Sequence, residues 1–319
     1  MTLSTWAETG QPIPASLMRV LAFVASGGTR GIADPGDLKV LPLAVPGGAV
    51  RITPGGCLIP SNYGVTTQSY VVAESQTTQV AISPTTSQGG RIDLITVRIS
   101  DVDFGGSAGG ANYAIHQNVP AQVAASREAA VAWCQARNDP QEPLASITIP
   151  ASTATITDSM ITDLRGIAMP KQKIVTLSAK GFGNSQINSV RDWQKFPNQS
   201  WKVEIPAWAT HVTAIANWNG VYEYSNNVSG TNIRGNIRTK LGSIESVITA
   251  WDIDDRGFGS RNSWRCASNN EVAIPSNLRG TIVDFEMLAN CTNKQGTAYV
   301  QVDNYTSVDA QLIFVSKAV

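Results

Sequence analysis

The sequence predicts an all-β chain of two domains, and three observations carry that expectation. Period-two alternation of apolar and polar residues recurs along the 319 residues, while helical periodicity is scarce. Short apolar runs in the first sixty residues are bounded by the turn clusters GGTRG, ADPGD, VPGG and TPGG, the spacing expected of a sandwich or barrel. Composition then changes near Pro170: seven of the eight tryptophans lie beyond residue 130 and six beyond residue 190, so the two parts carry different cores.

Taken in order, SLMRVLAFVASG (Ser16 to Gly27) has the outline of a signal peptide. Arg19 interrupts it, its apolar run is short, and Glu8 stands where a basic region would be, so it reads as a β-strand and the product as one assembled in a cytoplasm. RIDLITVRISD (Arg91–Asp101) alternates and reads as a mostly buried strand. AQVAASREAAVAWCQARN (Ala121–Asn138) has high helix propensity between Pro120 and Pro140 and is read as one helix. Residues 1–170 are thus expected to form a β-rich sandwich or barrel-like domain with one helix. Beyond Pro170, WKVEIPAW, HVTAIANW, GTIVDFEML, TAYVQVDN and AQLIFVS are among about eight strands that fit a jelly-roll-like β-sandwich over residues 171–319.

Composition excludes several functions. Net charge is zero and charged residues make up 15% of the chain, against about 25% in average soluble proteins, so no basic footprint for nucleic acid exists. No run approaches the roughly 20 apolar residues of a membrane span. Cys57, Cys134, Cys266 and Cys291 form no CxxC pair and only His116 and His211 supply imidazole, so no metal or cofactor is expected and the cysteines read as free thiols. GGSAG (Gly105–Gly109) matches the nucleophile elbow in letters only, because no helical start follows it.

WDIDDRGFGSRNSW (Trp251 to Trp264) is the densest polar and aromatic stretch. As an EF-hand loop it fails, since Arg256 occupies a ligand position and Ser263 stands where the bidentate Glu belongs. Asp254 with Glu223 or Glu245 could form a glycosidase pair, but nothing selects them, and no catalytic residue is expected. Aromatic faces beside planar polar groups suit sugar recognition, and loops at one end of a sandwich are where such residues sit. The expected contacts are Trp251, Asp254, Asp255, Arg256 and Phe258, with Trp218 and Tyr222 nearby.

The phrases PGDLKV, PGGAVRITPG, GRIDLITVRISD and MITDLR follow one another between Leu21 and Ala168. In that order the chain resembles minor tail proteins (baseplate or tail-tip proteins) of siphophages that infect actinobacteria. VEIPAWATHV, NIRTKLG and IPSNLRGT extend the resemblance into the second half. The resemblance implies a virion component whose first domain docks to other tail-tip proteins. Its second domain would project, associate as a homotrimer, and attach to host cell-wall glycan. It brings no catalytic residues with it. A purely structural tail adaptor and a glycan-degrading tail enzyme are the alternative readings.

Overall fold

A computed structural model describes residues 14–64, 67–106, 109–225, 231–254, 259–267 and 271–318, with only the backbone at Asp254 and Ala267. Most of the regular structure is antiparallel sheet, as expected of an all-β chain. Two compact units emerge, one running to Pro170 and rejoined by Lys317 and Ala318, the other comprising Lys171–Ser316.

The first unit opens with a helix, α1 (Ala15–Ser26), and not with the expected strand. A short apolar run cannot be assigned to strand or helix by periodicity alone, so the ends decide. Pro14 enters in an extended conformation, and Gly27 leaves with φ 63°, which lets the N–H of Gly28 close on the Phe23 carbonyl. Arg19, which breaks the linear pattern, turns into the protein. Its guanidinium meets Asp101 at 2.9 Å, Gln68 at 2.8 Å and Asp103 at 3.0 Å.

Ten strands follow: β1 (Gly31–Ile32), β2 (Val40–Pro42), β3 (Ala49–Ile52), β4 (Gly55–Pro60), β5 (Ser69–Glu74), β6 (Thr78–Ala81), β7 (Arg91–Ser100), β8 (Gly110–His116), β9 (Gln141–Ile149) and β10 (Ile161–Asp163). They form sheets ordered β1-β4-β5, β2-β3-β6 and β10-β9-β7-β8. Ile95, Val97, Leu144 and Ile147 from the largest sheet pack with Leu38, Val50, Ile52 and Ile59 from the others. The expected single helix is divided into α2 (Ala121–Ala124) and α3 (Arg127–Gln135). Ser126 is the reason. It is extended, and its hydroxyl accepts the N–H of Ala129 at 3.2 Å, so it caps α3 and does not continue α2.

Buried ion pairs tie this unit together. Glu142, whose side chain is fully enclosed, accepts Nε of Arg30 at 2.9 Å and Nη2 of Arg127 at 2.7 Å. Arg165 is clamped by Asp163 and donates to the Asp37 carbonyl at 2.6 Å, while the Asp37 carboxylate accepts the N–H of Gly56 at 2.9 Å. PGDLKV and PGGAVRITPGG, close in sequence, therefore meet MITDLR from more than a hundred residues away at one junction.

The second unit contains β11 (Gln172–Lys180), β12 (Ser185–Ile187), β13 (Arg191–Glu204), β14 (His211–Tyr224), β15 (Asn232–Leu241), β16 (Ile244–Glu245), β17 (Thr249–Asp254), β18 (Ser260–Ala267), β19 (Val272–Ala273), β20 (Ile282–Gln295), β21 (Tyr299–Val302) and β22 (Ser307–Val315). One sheet runs β11-β22-β14-β21-β12, with β18 and β19 also paired to β14. The other runs β13-β20-β15-β16, with β17 paired to β15. Between them lie Phe196, Trp218, Phe285, Met287, Leu312 and Phe314. The first and last residues of the unit are joined: Lys171 N–H donates to the Ser316 hydroxyl at 2.7 Å, and Ser316 N–H to the Lys171 carbonyl at 3.1 Å. All four cysteines are free and buried.

One irregularity in β14 positions everything that follows. Val212, Ala214, Ala216 and Trp218 face inward, so even-numbered residues are buried. Gly220, at φ 75°, sits where the register against β18 shifts between Trp218 and Val221. A bulge inserts one residue and reverses the parity. Beyond it Val221 and Glu223 face inward while Tyr222 and Tyr224 face out.

Candidate functional site

The expected contact residues separate into three groups. Asp255, Arg256 and Phe258 lie outside the described residues, as does the side chain of Asp254, whose backbone closes β17 opposite Asn232. Trp218 and Trp251 are core residues and offer no surface to a ligand. Trp218 is 0% exposed and donates its indole N–H to the Phe196 carbonyl. Trp251, 7% exposed, stacks on Trp264 with centroids 4.9 Å apart and planes 13° apart. Burial follows from position: Trp218 is on the inward parity of a central strand, and Trp251 lies over Gly235. Tyr222 alone of the seven is partly exposed among the described side chains.

Gly235 is required there. A Cβ would run into the Asn290 carbonyl and come within 2.8 Å of the Trp251 ring. Gly235→Ala is expected to lower stability by about 1–3 kcal/mol through overpacking, read as a lower midpoint for the second unit in urea.

Tyr222 belongs to a cluster that sequence spacing does not reveal. Its ring lies 6.1 Å from Tyr299, which stacks on Tyr224 at 5.0 Å. The Arg261 guanidinium sits 5.3 Å from the Tyr222 ring and 5.1 Å from the Tyr305 ring, a cation held between two aromatic faces. Asp303 fixes that cation by a two-pronged pair at 3.0 and 2.7 Å. The same carboxylate accepts the Tyr305 N–H at 2.9 Å and so shapes the turn between β21 and β22. Arg261 holds the Asp303 carboxyl below the usual carboxylate range, Asp303 in turn raises Arg261, and burial pushes the Tyr299 phenol up. Tyr305 is 81% exposed. The result is a rigid, half-open surface of aromatic faces, phenols and one fixed guanidinium.

Of the carboxylates considered for a glycosidase pair, the Asp254 side chain lies outside the described residues. Glu223 faces between the sheets, where it accepts Trp264 Nε1 at 2.8 Å and the Asn262 amide. Glu245 is exposed and pairs with Arg238 at 2.5 Å. Among the described residues no three His, Cys, Asp or Glu side chains are grouped to hold a metal. Ser107 of GGSAG lies outside the described residues, and Gly110, just beyond, opens strand β8.

No family model matches this chain, and no curated protein matches it. Among solved structures it is similar to the infectious bursal disease virus VP2 subviral particle, with 10% identity over 91% of this chain and 73% of that one at a TM-score of 0.27. A Gx-strain structure of the same virus gives 12% identity, 91% and 74% coverage, and a TM-score of 0.26. Mud crab tombus-like virus gives 11% identity over 47% of this chain and 84% of that one, at a TM-score of 0.18. At such scores and identities the similarity establishes neither a shared fold nor a shared role.

Proposed function

We propose that the protein is a structural component of a phage tail tip whose second unit attaches the virion to a host-surface glycan. The observation that carries the attachment reading is the Tyr222–Tyr224–Tyr299–Tyr305 surface around Arg261 on the outward face of the sandwich. Aromatic faces stack on the C–H faces of sugar rings, while the guanidinium and phenols meet hydroxyls. The tail-tip reading rests on the resemblance of the first unit, whose characteristic phrases form its hydrogen-bonded framework. Such a protein acts as a homotrimer docked to other tail-tip proteins, because three copies turn weak sugar contacts into avidity.

The test is binding of the fluorescently labelled full-length chain to actinobacterial cells that the phage infects. Wild type is expected to bind saturably, and the double variant Tyr222→Ala/Tyr305→Ala to bind about tenfold or more weakly, the size of a lost aromatic hot spot. A folded wild-type chain that ignores those cells would leave the structural adaptor as the correct reading. Sedimentation of the same sample measures the trimer.

A further inference from the structure

The outward tyrosine surface continues along β14. Before the bulge at Gly220 this strand turns Asn217 and Asn219 to the same face that Tyr222 and Tyr224 occupy beyond it. β22 runs alongside and turns Asp309 outward beside them. Both oxygens of that carboxylate are in use. Oδ1 accepts the Asn217 amide at 2.7 Å, and Oδ2 accepts the Asn219 amide at 2.9 Å.

Asp309 thereby decides which way two carboxamides point. A carboxamide carries two N–H groups and a carbonyl oxygen, and Asp309 takes one N–H from each asparagine. Among the described residues neither asparagine side chain makes another hydrogen bond. Each is partly exposed, and each keeps a donor and an acceptor side by side in a fixed orientation. Adjacent donor and acceptor match the adjacent hydroxyls of a sugar, and an orientation fixed before binding lowers the cost of ordering.

With one residue absorbed by the bulge, the outward row from Asn217 to Tyr224 spans about 20 Å at roughly 3.3 Å per residue. That is longer than any single sugar ring. Alternate residues of hydrogen-bonded strands make a flat strip, whereas a lone terminal sugar calls for a concave pocket. Exposed cations border the strip, Arg265 opposite Asn217 on β18 and Lys180 opposite Ser307 on β11, so acidic sugars are not excluded. We propose that this strip binds a linear glycan side-on over several successive units. Sugar rings stack on the tyrosines, and hydroxyls of the following units meet Asn219 and Asn217. Asp309 is a positioning residue that holds the two amides ready. The proposal rests on the attachment reading and deepens it from a sugar contact to recognition of a glycan chain.

The test uses wall polysaccharide from the actinobacterial cells that the phage infects, partially hydrolysed and separated by size into single sugars, short fragments and long fragments. Each fraction is titrated calorimetrically into the full-length chain. Long fragments are expected to bind about tenfold or more tightly than short ones, the worth of one or two added hydrogen bonds. Asn217→Ala/Asn219→Ala should remove that advantage and leave short fragments bound as before, whereas Tyr222→Ala/Tyr305→Ala should weaken both. Asp309→Ala keeps both amides but frees their orientation, so it should also weaken long fragments and spare short ones. Equal affinity for short and long fragments overturns the proposal even if every variant unfolds. A length advantage that survives in the asparagine variant overturns it, and so does failure of every fraction to bind. Cell binding separates this from the attachment reading. Cells bound through Tyr222 and Tyr305 without a length advantage sink only the strip, and length-dependent fragment binding without cell binding sinks only the attachment.

Discussion

Glu142→Ala is expected to destabilise the first unit by about 3–5 kcal/mol, the cost of breaking a buried ion pair by removing one partner. One carboxylate, Glu142, pairs with two guanidiniums, from Arg30 just before β1 and from Arg127 at the start of α3. Without it, two cations face each other in an enclosed space. Arg30 also donates to the Gln141 carbonyl at 2.5 Å and Arg127 to the Leu164 carbonyl at 2.8 Å, so neither is released cleanly to solvent. The effect should therefore spread to β9, α3 and the segment leading to Arg165. Hydrogen exchange of the full-length chain in increasing urea, read on peptides from β7 and β9, measures it for this unit alone. Unchanged protection there would mean that the arginines swing out to water and that the triad contributes little. Replacing all three by apolar residues should cost far less than the single change, because no charge is then left unpaired.

The second large effect is expected at Trp218→Ala, about 3–5 kcal/mol against the sandwich. Trp218 is the largest fully enclosed side chain among the described residues, and its partner on β18 is Trp264. Truncation opens a cavity at the middle of both sheets. It also removes the donor from the Phe196 carbonyl, so a packing loss and a hydrogen-bond loss fall together. Urea denaturation followed by tryptophan fluorescence reads the outcome, because six tryptophans lie in the second unit. A loss below about 1 kcal/mol, the size of an average substitution, would show that the core collapses around the gap.

Some of this was legible in the sequence, and the exceptions have physical causes. The strands of the second half were plain because period-two alternation is imposed by burial of one face, as in Val308, Ala310, Leu312 and Phe314. Helix α1 reads as a strand in the sequence because its apolar run is short and its one charged residue, Arg19, is satisfied by partners 49 and more positions away. The division between α2 and α3 hangs on one serine hydroxyl, which sequence propensity weighs as a mild helix former and geometry uses as a cap. The site was harder still. Alternation carried forward from Trp218 turns Tyr222 inward, and only the bulge at Gly220 reverses it. Arg261 and the single stretch that carries Tyr299, Asp303 and Tyr305 join Tyr222 from two separate parts of the chain, and no fixed spacing marks such a meeting. The tryptophans that drew attention to WDIDDRGFGSRNSW proved to be its inward residues.

The paired ends of the second unit have a genetic consequence. Lys171 and Ser316 hold each other, while Ala318, two residues on, packs with the core of the first unit. The whole sandwich is thus a loop-like insertion whose two ends leave from neighbouring points. Any module with a matching pair of adjacent ends could be spliced at the same two positions without redesigning the framework around Arg165 and Glu142. Recombination would then exchange one sandwich for another as an intact cassette. Its breakpoints would be expected to cluster near residues 170 and 317.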